Sequence, residues 1–318
     1  MTTGTSNSFD RYEKTRDELA STPTVSRFER WSSPHTHPGG SIWRMGVVKL
    51  RVLALFIIRR LSQGRGRRET LKGMKGLAGS AVSKTVLVVG SGPSAETLNG
   101  TEVATRQQAG TLVVIATNHF LASTLAKTVT PDYLVWSDDG FHPKRHTANI
   151  ERWELVRTRP GVTLVMPWTW KKDVAATGIT NKVMFFDDDS LETWSKNISP
   201  LKPRGYQGTT GAKALALATH LGSTDIQIIG IDLSYIKNFS VNPDNTITRH
   251  PTHVAGTDSG RQDLTGYTLI GLADLLYSTG NHFRAFHTHF AGKNITNLDP
   301  HSLVDAFPKI GDSPLTSP

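Results

Sequence analysis

Hydrophobic positions fall into three textures along this 318-residue chain. Residues 1–40 show no apolar period, are rich in Ser, Thr and Pro, and close on Pro34-His35-Thr36-His37-Pro38-Gly39-Gly40. That composition predicts a disordered tail, and His35 and His37 read as part of it rather than as metal ligands. No apolar core follows the first residues, so the start does not read as a secretory signal. From Ser41 to Leu61 the chain turns apolar, with Val47, Leu50, Ala54, Ile57 and Leu61 at spacings of three and four. This period predicts a helix with one apolar face. Lys49 and Arg51 interrupt the run, and its longest uncharged piece, Val52 to Ile58, is far short of the roughly 20 residues a membrane span needs.

Beyond Lys84 come short β-branched runs of the kind buried in a parallel sheet. Thr85–Val89, Leu112–Ala116, Asp132–Trp136, Val162–Met166 and Ile226–Ile229 are predicted strands. Ala212–Gly222 and Leu264–Tyr277 are predicted helices, and Phe283–Phe290 reads as strand-like, which would point one of His287 and His289 into the core. Strands alternating with helices predict an α/β fold: a Rossmann-like, mostly parallel sheet with helices on both faces. The implied organisation is a tail over 1–40, a basic amphipathic helix and linker over 41–84, a nucleotide-sugar-binding catalytic domain over 85–312 and a C-terminal tail over 313–318.

Ligands of open α/β sheets collect beyond the carboxyl ends of the strands, so the residues there are the candidate site. The first predicted strand runs into Gly90-Ser91-Gly92-Pro93-Ser94. Two glycines permit close backbone approach, and Pro93 suits a first helical position whose N–H groups face an anion. The third glycine and later acid of the dinucleotide fingerprint are missing, as is the Gly-Lys-Ser/Thr of a P-loop. Asn118, Asp138 and Asp139 follow the second and third strands. Gly208-Thr209-Thr210-Gly211 opens the Ala-rich helix, where hydroxyls and backbone N–H groups can hold phosphate or ribose. His220, near the end of that helix, reads as structural.

Composition narrows the chemistry. The absence of cysteine removes disulfides, thiolate nucleophiles and Cys-ligated metals, and suits a reducing compartment. The net charge of +9 is unevenly spread. Residues 1–84 hold 16 Lys/Arg against 6 Asp/Glu, whereas residues 85–318 hold 20 against 21. A near-neutral main domain argues against a nucleic-acid groove. The basic excess follows the apolar face, through Arg59, Arg60, Arg65, Arg67, Arg68, Lys72 and Lys75. Residues 43–75 therefore fit either an anionic membrane surface or a helix packed on its own domain with a solvated basic end.

In their order, Gly90-Ser91-Gly92-Pro93-Ser94, Thr117-Asn118-His119-Phe120, the run from Thr209 to Gly222 and Ile226 to Tyr235 resemble the bacterial family-42 sialyltransferases. They equally resemble the related superfamily of flagellin-modifying glycosyltransferases and 6-hydroxymethylpterin diphosphokinase-like domains. Pro131 to Asp139 is similar to the diphosphokinase branch, and Asn294 to Ile310 to the sugar-transferring branch. The resemblance implies that Gly90 to Ser94 line the nucleotide phosphate, that Asn118 contacts the nucleotide or its sugar, and that Thr209, Thr210, Gly211 and Asp232 hold the donor. It places Tyr235 near the leaving phosphate and makes His253 or His250 the general base, a role suited to a pKa near neutrality. Ser91 stands where the sialyltransferases place Asn, and Tyr235 is displaced by about one residue from the expected tyrosine.

The expected activity is glycosyl transfer from a nucleotide sugar to a cell-surface glycan or lipid-linked acceptor, with no cofactor. It would take place in the cytoplasm or peripherally on the inner face of the cell membrane. The alternatives are a Mg²⁺- and ATP-dependent pterin diphosphokinase, with Asp138 and Asp139 as metal ligands, and an inactive nucleotide-binding module. Asp187-Asp188-Asp189 contains the Asp-x-Asp of metal-dependent glycosyltransferases but reads as a solvated turn.

Overall fold

The computed structural model describes residues 42–144, 150–191, 195–206, 208–233, 239–241, 243, 247–249 and 269–316. In chain order these form α1 (Ile42–Thr70), α2 (Lys72–Lys75), β1 (Thr85–Val89), α3 (Gly100–Gln108), β2 (Leu112–Thr117), β3 (Tyr133–Val135), α4 (Ile150–Arg157) and β4 (Thr163–Pro167). There follow α5 (Lys171–Ala175), β5 (Val183–Phe186), α6 (Thr210–His220), β6 (Asp225–Ile229), β7 (Phe239–Val241), β8 (Ile247–Arg249), α7 (Leu269–His289) and β9 (Ile295–Asn297). The described residues divide into two units. One contains residues 42–65, the antiparallel pair β7–β8 and residues 269–278. The other contains residues 66–233 and 279–316.

The larger unit is a seven-stranded sheet of order β5-β4-β3-β2-β1-β6-β9, with every neighbouring pair parallel. Parallel strands are buried on both faces, which is why β1 reads Thr-Val-Leu-Val-Val without polar alternation and is buried throughout. The period of two still sorts its side chains. Leu87 and Val89 enter one core with Val114, Leu134, Leu164, Trp136 and Trp153. Val86 and Val88 enter the other with Ile115, Val165, the apolar residues of α6, Phe286 and Phe290. The α/β sheet with helices on both faces is the expected fold. After β5 the chain crosses back over the sheet as α6 and lays β6 on the far side of β1, so the order reverses between β1 and β6.

Three local expectations need correction. Phe283–Phe290 is not a strand, because α7 runs to His289. The spacing of Phe283, Phe286 and Phe290 is a helical three-and-four, and Phe286 and Phe290 are buried on one side. Neither His287 nor His289 enters the core: His287 is exposed and 2.8 Å from Asp305. The stretch expected as a linker before β1 packs on the sheet through Met74 and Ala81, with Leu71 also buried. The last residues likewise pack, with Leu315 buried and its carbonyl accepting from Asn99 N at 2.8 Å. His220 is structural as expected, its Nε2 2.9 Å from the Met74 carbonyl.

The Asp triplet after β5 is also not solvated: Asp187 is 2% and Asp189 7% exposed. Arg67 Nε and Nη2 both donate to Asp187 Oδ2, and Nη2 also donates to the Leu201 carbonyl at 3.0 Å. Burial raises the Asp187 carboxyl above its ordinary range even though Arg67 pulls it down. Arg67→Met should therefore cost about 3–5 kcal/mol in urea unfolding, because it strands a buried carboxylate. Adding Asp187→Leu should restore most of that loss.

Candidate functional site

All strands of the main sheet are parallel, so their carboxyl ends share one edge and every expected donor residue within the described set lies there. The turn after β1 is not open. Gly90 N donates to the Ile229 carbonyl and Gly92 N to the Gly230 carbonyl, each at 2.8 Å. A Cβ on Gly90 would overlap the Gly230 carbonyl, and one on Gly92 the Asp232 carboxylate. These glycines let the loop after β6 approach, where the sequence had suggested a ligand. Gly230 itself has φ 71°, a conformation that glycine adopts without steric cost.

Pro93 does begin a helical turn, but a short one, the 3-10 turn Pro93–Thr97. The anion at its start belongs to the chain. Asp232 Oδ2 accepts from Ser94 N at 3.2 Å, and Asp232 Oδ1 accepts from Ser94 Oγ. Ser94 Oγ in turn accepts from Gly230 N at 2.9 Å. Asp232 is 5% exposed, and burial raises its pKa against the lowering effect of Ser94, helped by the neighbouring Asp299 carboxyl.

The second turn opens the longer helix α6. Thr209 caps α6, its Oγ1 accepting from Ala212 N at 3.0 Å. The N–H groups of Thr210 and Gly211 have no acceptor within the helix, and they carry the positive end of its dipole. Thr210 Oγ1 lies 2.9 Å from Ser137 Oγ after β3, and Ile231 after β6 packs against Gly211. The turns after β1 and before α6 therefore both touch the Gly230–Ile231 loop. Within the β1 turn, Ser91 Oγ donates to the Thr117 carbonyl at 3.2 Å, next to Asn118 at the end of β2. Asn118 has φ 46°, with its carbonyl held by Trp136 Nε1 at 2.9 Å. Its side-chain Oδ1 is buried, and no group among the described residues bonds it. Leu233 follows Asp232 with φ 49°, so both described non-glycine residues of positive φ border this edge.

Sequence reasoning missed the charged groups under α6. Lys213 is 7% exposed, its Nζ 2.9 Å from Asp188 Oδ1 and 5.6 Å from the centre of the Phe186 ring. Burial lowers its pKa while Asp188 raises it. Arg204 Nε lies 3.3 Å from the same Asp188 oxygen. The signal for Lys213 was present as one lysine in an otherwise Ala- and Leu-rich helix; Arg204 had none. Asp138 Oδ1 accepts from Gly140 N at 2.9 Å, and Asp138 and Asp139 are both exposed. Among the described residues no group of three or more His, Asp or Glu is placed to hold a metal ion. Tyr235, His250 and His253 lie outside the described residues.

A family model described as 6-hydroxymethylpterin diphosphokinase MptE-like matches residues 63–238, more than half of the chain. The solved structure of the MAf glycosyltransferase from Magnetospirillum magneticum AMB-1 is similar at 15% identity and a TM-score of 0.43 over 77% of this chain. The chain spans 38% of the length of that protein. No curated protein matches the chain.

The Asp232 contacts set a pH signature. A raised folded pKa means that the group's contribution to stability is present below the unfolded carboxylate pKa and is lost as pH rises through the folded value. Wild type should therefore gain stability over Asp232→Asn as pH falls from neutral toward the ordinary carboxylate range. The slope should reach about 1.4 kcal/mol per pH unit in that window, measured as the difference between paired urea titrations.

Proposed function

The chain belongs to the 6-hydroxymethylpterin diphosphokinase MptE-like family, and from that premise we propose that it transfers a glycosyl group from a nucleotide-activated sugar. The observation that carries this reading is the start of α6. The first-turn N–H groups, which have no acceptor within the helix, the Thr210 hydroxyl, and Lys213 and Arg204 near Asp188 all lie at the carboxyl edge of the sheet. Fixed donors and cations of this kind suit a nucleotide phosphate that must leave with the bonding electron pair and stay bound while it does so. The phosphate is assigned to Thr209, Thr210 and Gly211. Gly90 to Ser94 form the floor, with Asp232 bracing it and Ser91 facing the ligand. Asn118 offers its unpaired Oδ1 to a ribose hydroxyl or a base N–H.

In the step proposed, an acceptor hydroxyl attacks the anomeric carbon, the bond from that carbon to the phosphate oxygen breaks, and His253 or His250 takes the hydroxyl proton. Tyr235 donates to the departing phosphate. The acceptor class is a cell-surface glycan or lipid-linked sugar. A second reading, diphosphate transfer from ATP to a pterin, is favoured by the family's description and by the exposed Asp138 and Asp139 pair. Asp138 and Asp139 would hold Mg²⁺, which would offset the charge of the ATP phosphates.

A donor screen separates them. With CMP-sugars, UDP-sugars and ATP plus 6-hydroxymethylpterin offered in turn, a nucleotide sugar should be consumed and EDTA should not stop it. Consumption of ATP alone, abolished by EDTA, would assign the second reading, and binding without turnover would assign a non-catalytic module. Thr210→Val should raise the KM for the consumed donor by about tenfold.

A further inference from the structure

The smaller unit carries an apolar surface that the proposed reaction does not use. Along α1, Leu50 is 64%, Ile57 46%, Ile58 63% and Leu61 81% exposed, and Ala54 is exposed with them. At 100° per residue, Leu50, Ala54, Ile57 and Leu61 fall within one narrow stripe, with Ile58 at its border. The half-buried side of the same helix holds Leu53, Phe56 and Arg60, the last with its guanidinium 5.0 Å from the centre of the Phe56 ring. An amphipathic helix packed on its own domain shows the reverse arrangement. The exposed Arg65 continues the apolar stripe, and the sequence goes on to Arg68, Lys72 and Lys75, whereas Arg67 is taken up by Asp187. Ile42–Thr70 holds eight Lys and Arg and a single acid, Glu69.

We propose that the exposed stripe Leu50–Ala54–Ile57–Leu61, with its basic continuation, lies in the headgroup region of an anionic lipid membrane. The apolar side chains would enter the acyl boundary, and Arg65 and Arg68 would pair with lipid phosphates and carboxylates. Charge selects lipid over a second copy of the chain. Two such helices face to face would, in either orientation, set a helix of eight Lys and Arg and one acid against its like, whereas an anionic bilayer attracts both the apolar stripe and the arginines. No helix among the described residues is long and apolar enough to cross a membrane, so the mode of binding is in the plane of the surface.

The test uses the full chain in flotation with vesicles of phosphatidylcholine alone or with phosphatidylserine. The chain should float with phosphatidylserine vesicles, remain behind with phosphatidylcholine alone, and be released by salt. Leu50→Ser, Ile57→Ser and Leu61→Ser together, substitutions at exposed positions, should lower partition by tenfold or more. Arg65→Glu with Arg68→Glu should do the same while leaving the apolar stripe intact. Both variants should keep the wild-type thermal unfolding midpoint. The proposal is overturned if the wild-type chain fails to float, or if it floats equally well with both sets of substitutions. It is also overturned if the triple serine variant loses self-association by sedimentation instead of vesicle binding. The readout is independent of donor turnover, so it stands or falls apart from the glycosyl-transfer reading.

Discussion

The turn after β1 and the turn after β6 meet backbone to backbone at the point where the strand order reverses. Two N–H groups, of Gly90 and Gly92, reach across to the carbonyls of Ile229 and Gly230, and no side chain fits between them. The Ser94 hydroxyl completes the join by accepting from Gly230 N and donating to the Asp232 carboxylate. In many open α/β sheets the reversal point is a crevice that receives the ligand. Here the chain's own carboxylate occupies the helical N-terminus that would serve a phosphate. That closure brings the loop after β6 against the β1 turn, and Ile231 of the same loop packs against Gly211 at the start of α6.

Strain and buried charge gather on the same edge. Asn118 and Leu233 hold left-handed backbone, Asp232 sits beside Asp299 under a raised pKa, and Lys213 is buried against Asp188. Each arrangement costs free energy that the sheet core supplies, and all of them gather at the carboxyl end of the strands, the edge to which the proposed reading assigns the donor. The other charged join, Arg67 with Asp187, also lies at the end of β5 but does structural work, tying the last turn of α1 to the strand.

The sheet was legible because burial on both faces writes parallel strands as unbroken β-branched runs, and the five predicted strands are all present. The strand ends were legible for the same reason, so the order of runs and turns was enough to place Asn118, Thr209 and Asp232 on one edge. The roles of Gly90 and Gly92 were not. A glycine records that something comes close, and only the fold shows that the visitor is Gly230 and Asp232. The helical period of Phe283, Phe286 and Phe290 was hidden by intervening polar residues that also alternate. Arg67 and Asp187 are 120 positions apart, beyond what any local pattern reports, so the Asp triplet looked solvated. The apolar face of α1 was visible in sequence, but whether it points inward or outward is decided by the packing of Leu53, Phe56 and Arg60 on its other side.

The central claim, that the β1 turn is closed by Asp232 and the start of α6 receives the donor phosphate, is tested most directly by amide hydrogen exchange with and without the donor that the chain consumes. Slowed exchange at Thr210 to Lys213 and around Asn118, with Gly90 and Gly92 already protected in the free chain, is the predicted result. Fast exchange at Gly90 and Gly92 that slows only on donor binding, with no change at Thr210 to Lys213, would contradict it.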